Sequence, residues 1–257
     1  MTDSIPRDRH FDGMADKFAR SLYGASRGRL RLQLLQHTLH SQLPLAGQPV
    51  LEVGAGLGQM AHWAAQRGHS VTLAEPSFEM LERARALLTE HDAVFHQCDL
   101  QHLEQYVSGQ WPLIFCHAVL EWMARPADAI PLLSDRLAPG GWLSLMVFNH
   151  DAMRFSNIVK GNLERVLVDR LAGSGKRKRL TPISPLVHDE VMGWLRSAGL
   201  EVRAVTGIRV FHDYLRERHP SDEDIERLTE LELRYCRTEP YWRLGRYLHY
   251  SIYKPER

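Results

Sequence analysis

A glycine-rich turn after a short apolar run, VLEVGAGLGQ at residues 50–59, constrains the fold of this chain more than any other segment. The apolar run predicts a buried strand, and the glycines permit the positive φ angles of a tight turn into the next helix. A turn of this kind exposes backbone amides to a ligand at the carboxyl end of the strand. The segment therefore predicts a nucleotide-like ligand held at the first strand of an α/β sheet.

The rest of the chain alternates predicted strands with predicted helices. Helical apolar spacing fills residues 10–42, with a break predicted around residues 24–28. It continues between the later strands up to a helix that begins at residue 126 and is stopped by Pro-Gly-Gly at 139–141. Helices between successive strands imply right-handed crossovers and a parallel sheet with helices on both faces. After the first strand, apolar runs bounded by turn residues predict strands at 70–76, 93–100, 112–120 and 142–149.

Composition limits the class of protein. With 257 residues, 44% of them hydrophobic and 25% charged, the chain can bury the core of one large domain. No apolar stretch reaches the ~18 to 20 residues of a membrane span, and no signal peptide is visible, so we expect a cytoplasmic protein without a membrane partner. Histidine and cysteine spacings predict no metal site. The three cysteines lack a C-x-x-C pair and are expected to be buried thiols: Cys98, Cys116 and Cys236.

Residues at the strand ends are the candidate ligand contacts, because parallel sheets bind ligands at the carboxyl ends of their strands. Glycines allow a close approach to the backbone, an acid can accept two hydrogen bonds from a ribose diol, and later residues can flank an adenine ring or reach the reactive end of the ligand. Each residue also has a purely structural interpretation, as part of a tight turn, a helix start or a packed loop. The nearby Trp122 has two interpretations as well, since a tryptophan here is more often a core residue than a wall of a ligand site. The candidates are Gly54, Ala55, Gly56, Glu75, Leu100, Gln101 and His117.

The spacing of the glycines separates two ligand classes. Dinucleotide-binding turns show G-x-G-x-x-G, whereas here the third glycine comes one residue early. The segment EVGAGLG, from Glu52 to Gly58, instead resembles motif I of the class I S-adenosylmethionine-dependent methyltransferases. The acid at the second strand end and PGGWLS, from Pro139 onward, also fit that superfamily.

Segments outside this core resemble a narrower family. RHFDGMADKFARSLYG, FCHAVLEW, TGIRVFHDYLRERH and ELELRYCRTEPYWRLGRYLH, with the basic stretch before LTPISP, are similar to the bacterial tRNA 5-carboxymethoxyuridine methyltransferases, the CmoM (SmtA-like) family. The resemblance runs over almost the full chain. It implies a Rossmann-like α/β class I methyltransferase fold, with a mostly parallel seven-stranded sheet, helices on both faces, N-terminal helices and a helical insertion near the C-terminus.

The resemblance also implies a reaction. Members of the family use S-adenosylmethionine to methylate the carboxylate of 5-carboxymethoxyuridine at the wobble position of tRNA, which gives the methyl ester. Their cofactor contacts carry over to the strand-end candidates and add Arg31. The family's motif I often has Asp and Gly-Gly where this chain has Glu52 and Gly54-Ala55, and alanine at position 55 is tolerable only with a negative φ.

Methyl transfer to a carboxylate needs a clamp for an anion rather than a general base, because a carboxyl group with a pKa near 4 is already ionised at neutral pH. Bidentate arginine is the suitable side chain. The candidates for this clamp are Arg209, on a predicted strand, Tyr214 and Arg246. A surface ion pair between Arg209 and Asp213, and core packing of the tyrosines, are the alternatives.

A basic loop points to a nucleic-acid partner. GSGKRKRL at residues 173–180 places Lys176, Arg177, Lys178 and Arg179 in succession. A second basic group is formed by Arg27, Arg29 and Arg31. A run of charges is usually a solvated face, but phosphates would bind such a loop strongly. We therefore expect contact with tRNA, with the wobble base of its anticodon loop presented unstacked beside an aromatic side chain such as Tyr214 or Trp242.

The organisation of the chain and three functional hypotheses follow. One methyltransferase domain is expected over 1–257, with N-terminal helices at 1–45, a cofactor-binding core at 46–150, and substrate-recognition elements and the last strands at 151–257. The leading hypothesis is the tRNA carboxyl methyltransferase. The second keeps the cofactor but exchanges the substrate for a small carboxylic acid or a quinone-type ring, and the third is a non-catalytic cofactor-binding scaffold.

Overall fold

A seven-stranded sheet with the order β3-β2-β1-β4-β5-β7-β6 organises the protein. The computed structural model describes residues 8–9, 11–20, 26–173, 181–217 and 220–256. Strand β7 pairs antiparallel with both of its neighbours, whereas the other pairs are parallel, as the resemblance implied. The strands are β1 (Val50–Val53), β2 (Val71–Ala74), β3 (Ala93–His96), β4 (Trp111–His117), β5 (Leu137–Phe148), β6 (Glu201–Ile208) and β7 (Tyr247–Tyr253).

Helices connect the strands and extend the chain at its N-terminal side. The longest, α2, carries its buried leucines on the side that faces the sheet. Helix α10 lies between β6 and β7, where the resemblance implied a helical insertion. The helices are α1 (Ala15–Phe18), α2 (Ser26–Gln42), α3 (Gln59–Ala65), α4 (Phe78–Leu87), α5 (Leu103–Tyr106), α6 (Ala129–Arg136), α7 (His150–Val159), α8 (Leu163–Leu167), α9 (His188–Ser197) and α10 (Asp222–Tyr235).

Some boundaries differ from the predicted ones for physical reasons. Helix α2 begins at Ser26, inside the predicted break at 24–28, and runs through Gly28, because the burial of this helix against the sheet outweighs a glycine cost of about 1 kcal/mol. Helix α6 ends at Arg136, shortly before the predicted stop at Pro139, and β5 begins at Leu137 rather than at residue 142. The residues that follow join β5, because Gly140 donates its N–H to the carbonyl of Lys254, and Lys254 donates to that of Gly141.

Each face of the sheet carries its own hydrophobic core. Along β4, Ile114 and Cys116 pack with residues of α6 and α9 on one face, whereas Leu113 and Phe115 pack with residues of α2 and α3 on the other. This alternation is expected of a strand buried on both faces. Cys116 is a buried free thiol, as are the other two cysteines, which confirms that prediction.

The order of the strands fixes where a ligand can enter. The chain builds β2 and β3 on one side of β1 and then returns to place β4 on its other side, so the order reverses between β1 and β4. A cleft forms at the carboxyl ends of the strands at such a point. Within the described ranges, no helix is both long and apolar enough to cross a membrane.

Candidate active site

A cleft of about 1050 Å³ lies at the carboxyl ends of β1, β2 and β4. All of the predicted cofactor contacts line it, although they come from segments up to 86 positions apart, between residues 31 and 117. The contact of each one with the cofactor stays a prediction. The residues that the cleft brings together are Arg31, Gly54, Ala55, Gly56, Glu75, Leu100, Gln101 and His117.

Two of the three glycines in the turn after β1 are required by packing, and the third faces open space. All three have a positive φ, of 68° at Gly54, 57° at Gly56 and 77° at Gly58. A Cβ at Gly54 would lie 2.3 Å from a methyl group of Val119, and one at Gly58 would lie 2.8 Å from the Cβ of Ala84, so both are needed for packing. At Gly56 a Cβ would meet nothing within 4 Å. Gly56 therefore marks the open space of the cleft.

Ala55 has the backbone that its side chain requires. The described non-glycine residues with a positive φ do not include it, and its methyl group is buried. Ala118, one residue after His117, does have a positive φ, of 59°, and its N–H donates to the carbonyl of Met146. The departure at position 55 therefore leaves the turn unstrained.

Glu75 connects the second strand to the glycine turn. One carboxylate oxygen accepts the N–H of Gly56 at 2.8 Å, and the other accepts the N–H of Ser77 at 3.0 Å. The residue is 5% exposed and lines the cleft. A carboxylate oxygen has more than one acceptor position, so each can also accept from a ligand hydroxyl.

Glu52, which motif I contains without an assigned role, is a buried acid in the wall of the cleft. Its Oε2 has no hydrogen-bond partner among the described residues. Burial, with a smaller effect from Glu75, raises the pKa of Glu52 to about 8. A buried carboxyl group with one unpartnered oxygen, beside open space at Gly56, fits a ligand that brings hydroxyl groups, and S-adenosylmethionine brings them.

The N-terminal segment closes one side of the cleft, which the sequence did not predict. The side chain of Asp8 bonds that of Gln101 and accepts the N–H of Ala124, and the N–H of Arg9 donates to the carbonyl of Trp122. The ring of Phe11 contacts the edge of Trp122 with 4.8 Å between centroids, and both aromatic rings line the cleft. Trp122 is therefore part of the wall rather than core alone.

His117 is a neutral side chain at the end of β4. Its Nε2 lies 2.8 Å from the hydroxyl of Ser144 on β5. Burial, together with the nearby His249 and Arg31, holds the pKa of His117 well below the ordinary histidine value. The ring therefore carries no charge at neutral pH.

The proposed clamp residues lie beside this cleft and do not line it. Arg209 was predicted to lie on a strand, but it lies one residue after the end of β6 and has a φ of 62°. It is 4% exposed, and its Nε and a terminal nitrogen bond the carboxylate of Asp213 at 2.9 and 2.5 Å. The pair is therefore buried rather than the surface ion pair considered from the sequence. Its guanidinium is already bonded to a carboxylate of the protein.

The other two clamp candidates differ in what already binds them. Tyr214 donates its hydroxyl to the carbonyl of Leu244 at 2.8 Å. The Nε of Arg246 lies 4.0 Å from Asp213, and its guanidinium stacks 4.4 Å from the ring of Phe148 at the end of β5. Of the three candidates, Arg246 therefore has the weakest contact to a group of the protein within the described chain.

A buried acid holds the loop that carries Arg209. Glu232 on α10 is fully buried and accepts three consecutive backbone N–H groups, from Val210 at 2.5 Å, Phe211 at 3.0 Å and His212 at 2.9 Å. Neither this contact nor its residues were predicted. Nothing local in ELELRY distinguishes Glu232 from the exposed acids that flank it, because its partners lie 20 to 22 positions away.

Tyr247, the first residue of β7, lies between the cleft and the arginine cluster, which consists of Arg209, Arg246 and the acid they share, Asp213. Its ring lies 5.6 Å from the guanidinium carbon of Arg31 and 6.0 Å from that of Arg209. Arg31 lines the cleft and Arg209 belongs to the cluster, so one aromatic ring separates the two groups.

The basic loop predicted to bind tRNA, with Lys176, Arg177, Lys178 and Arg179, lies outside the described residues. Its described flanks are joined by a hydrogen bond from the N–H of Gly173 to the carbonyl of Pro182. The second basic group is partly exposed, since Arg27 and Arg29 lie on the solvent side of α2.

Known proteins resemble this chain over much of its length. A family model described as a methyltransferase domain matches residues 26–205. The tRNA 5-carboxymethoxyuridine methyltransferase of Escherichia coli (strain K12) is 41% identical, over 97% of this chain and 98% of that protein. The ubiquinone biosynthesis O-methyltransferase of Pseudomonas paraeruginosa (strain DSM 24068 / PA7) is 31% identical over 64% of this chain and 69% of that protein.

Solved structures share the fold at lower identity. The crystal structure of magnesium protoporphyrin IX methyltransferase from Synechocystis PCC 6803 with bound SAH has a TM-score of 0.62 at 14% identity, and the match covers 95% of this chain and 96% of the other. The family model and the full-length relative together determine the assignment. The chain belongs to the tRNA 5-carboxymethoxyuridine methyltransferase family, within the class I S-adenosylmethionine-dependent methyltransferases.

Proposed function

We propose that this protein transfers the methyl group of S-adenosylmethionine to the side-chain carboxylate of 5-carboxymethoxyuridine at the wobble position of tRNA. The observation that carries the proposal is the 41% identity to the Escherichia coli enzyme over 97% of this chain. That match includes much of the chain outside residues 26–205, where substrate contacts are expected. A cytoplasmic location, where tRNA is modified, belongs to the same proposal.

The chemistry needs orientation and desolvation. A carboxylate oxygen attacks the methyl carbon in line with the carbon–sulfur bond, which breaks to leave a neutral thioether and a neutral ester. No proton moves, because the carboxylate is ionised at neutral pH. Bound S-adenosylmethionine supplies the electrophilic methyl group. The protein has to hold the carboxylate about 3 to 3.5 Å from that carbon, in a site that water does not reach.

We assign the first contact with the substrate carboxylate to Arg246. The side chain of Arg246 is 24% exposed and its Nε lies 4.0 Å from Asp213, whereas Arg209 is buried and bonds the same acid through two nitrogens. Because Asp213 already bonds Arg209 through two nitrogens, the guanidinium of Arg246 keeps donors that a second carboxylate can bind. Arg209 would then orient Asp213, and Asp213 would orient Arg246.

The contact with tRNA rests on the basic segments. The loop at 176–179 and the exposed arginines of α2 supply the positive charge that phosphate groups require. Trp242, which the sequence suggested for stacking on a base, is buried, whereas its neighbour Tyr241 is exposed, with its ring 5.5 Å from that of Phe211. It could stack on a base of the anticodon loop.

The decisive experiment is nucleoside mass spectrometry. Unmethylated tRNA that contains 5-carboxymethoxyuridine is incubated with the protein and S-adenosylmethionine, then digested to nucleosides. We expect that one methyl group is added to 5-carboxymethoxyuridine and to no other nucleoside. If no nucleoside gains mass while S-adenosylhomocysteine still binds, the tRNA substrate is wrong.

A second candidate function is methylation of a small carboxylic acid or a quinone-type ring. The 31% identity to the ubiquinone biosynthesis O-methyltransferase favours it, but that match covers only 64% of this chain. This alternative predicts activity that does not depend on the basic loop at 176–179. Transfer to a small acid by a variant that lacks those charges, without transfer to tRNA by the intact protein, would support it.

A further inference from the structure

Three side chains on neighbouring strands form a hydrogen-bonded chain from the cleft into the covered face of the sheet. The Nε2 of His117 on β4 lies 2.8 Å from the hydroxyl oxygen of Ser144 on β5, and that oxygen lies 2.7 Å from the Nε2 of His249 on β7. His117 lines the cleft, whereas Ser144 and His249 have no exposed surface. These hydrogen bonds therefore link His117, which faces the cleft, to His249, which no ligand can contact.

The single proton of the serine hydroxyl determines the state of both rings. Burial lowers the pKa of His249 to about 3 and that of His117 well below its ordinary value, so both rings are neutral near pH 7. A neutral imidazole has one N–H, and a hydroxyl donates one hydrogen bond. Because Ser144 can donate to only one of the two Nε2 atoms, the other must carry a proton and donate to the oxygen. The two histidines therefore hold opposite tautomers.

The surroundings of the two Nδ1 atoms decide which histidine carries which tautomer. Neither Nδ1 has a hydrogen-bond partner among the described residues. An enclosed N–H without an acceptor is more costly than a lone pair without a donor. No ligand can bring an acceptor to His249, so its proton belongs on Nε2, bonded to Ser144. Ser144 then donates to Nε2 of His117, and the proton of His117 belongs on Nδ1. This atom is itself enclosed, but of the two rings only that of His117 lines the cleft, so only there does a bound ligand come near enough to supply an oxygen acceptor.

We propose that His249 is a positioning residue that acts through Ser144 to hold His117 as the Nδ1–H tautomer with a fixed ring orientation. The cleft then offers a neutral donor to an oxygen of the bound ligand, and it offers no acceptor at that point. The proposal rests on the proposed function only in that His117 contacts a ligand of the methyl-transfer site.

The tautomers can be measured directly on the full chain. The protein is labelled with ¹⁵N-histidine, and the ring nitrogens are observed by NMR with and without S-adenosylhomocysteine. The signals are assigned by their loss in the variants His117→Gln and His249→Gln. We expect His117 to be protonated on Nδ1 and His249 on Nε2 in the loaded protein. Identical tautomers in the two rings, or His117 protonated on Nε2, would overturn the proposal.

Variants separate positioning from general support of the fold. Ser144→Ala and His249→Leu should each give His117 a mixture of tautomers and weaken S-adenosylhomocysteine binding by about three- to tenfold, the value of one hydrogen bond. His249→Gln, whose amide can still donate to Ser144, should restore affinity to within about threefold of the unchanged protein.

Ser251→Ala is the matched control. Ser251 is also a buried serine on β7, but it bonds Gln42 rather than the histidine chain. It should leave both the His117 signals and the affinity unchanged, and an equal loss of affinity in Ser251→Ala and Ser144→Ala would overturn the positioning role. These readouts need no tRNA. A protein that shows the predicted tautomers but does not methylate tRNA would refute the proposed function alone.

Discussion

Glu232→Gln tests whether one buried acid on α10 organises the substrate side of the site. Its carboxylate accepts three backbone N–H groups of the loop after β6, two through Oε1 and one through Oε2. That loop carries Arg209, whose positive φ of 62° is an unusual conformation for a side chain of its size. The three hydrogen bonds therefore hold a loop that would otherwise relax.

The magnitude follows from what glutamine can still do. Its single carbonyl oxygen can keep the N–H groups of Phe211 and His212, but its NH₂ group would face the N–H of Val210. An unsatisfied buried N–H costs about 1–3 kcal/mol, and the opposed donors add to it. Burial raises the pKa of Glu232 against the three hydrogen bonds that lower it, so removal of the charge recovers part of the cost of burying it. We expect a loss of about 2 kcal/mol in the free energy of unfolding.

Urea unfolding measures this loss, and Glu230→Gln is its control. Glu230 lies on the same helix two positions earlier, but it is 70% exposed and pairs with Arg234 on the surface, so its loss should cost about 0.5 kcal/mol or less. Glu232→Gln should also lower methyl transfer more than it lowers the affinity for S-adenosylhomocysteine, because the cleft lies on the other side of Tyr247. Equal stability of the two variants would refute the reasoning.

Three further outcomes are expected. Glu75→Ala should weaken S-adenosylhomocysteine binding at least about tenfold by calorimetry, since hydrogen bonds to the ligand and to Gly56 are lost, while Glu79→Ala on the exposed side of α4 should not. The free energy of unfolding should fall as the pH rises from about 5 to about 8, because Glu52 and Glu121, with pKa values raised to about 8 by burial, hold protons in this range that the unfolded chain has released. Each contributes at most about 1.4 kcal/mol per pH unit, and Glu121→Gln should reduce the slope by its share. Alanine at all four basic positions of 176–179 should lower the slope of log affinity for tRNA against log salt by up to about 3 and leave cofactor binding intact; an unchanged slope would remove the loop from the interface.

The sequence predicted which residues come together in the cleft, because the signals for them are local. A buried strand, a glycine turn and a following helix occupy adjacent positions, so the pattern at residues 50–59 is sufficient to place the turn at the end of β1. The same rule of strand ends placed Glu75 and His117 in the same cleft. Parallel strands share one carboxyl edge, so no long-range information was needed.

The arginine cluster beside the cleft, which is the proposed substrate half of the site, could not be predicted in the same way because its contacts join distant residues. Arg209 was singled out from the sequence and its contact with the substrate stays a prediction, but its ion pair with Asp213 depends on the loop that Glu232 holds from the next helix. His249 is one of fourteen histidines, and its link to His117 requires the register of β5 with both of its neighbours. Pairings of this kind are properties of the sheet, and single-sequence patterns do not contain them.

The direction of β7 explains how these two halves meet. Because β7 runs antiparallel to β5, its first residue, Tyr247, pairs with Phe148 at the carboxyl edge of β5. A parallel β7 would bring its last residue, Tyr253, to that edge and would leave Arg246 at the opposite end of the sheet. The antiparallel strand therefore brings Arg246 next to the cofactor cleft. Because α10 lies in the connection before β7, its sequence can also differ between related proteins without any change in β1 to β4. A common cofactor site can in this way be combined with different substrate contacts.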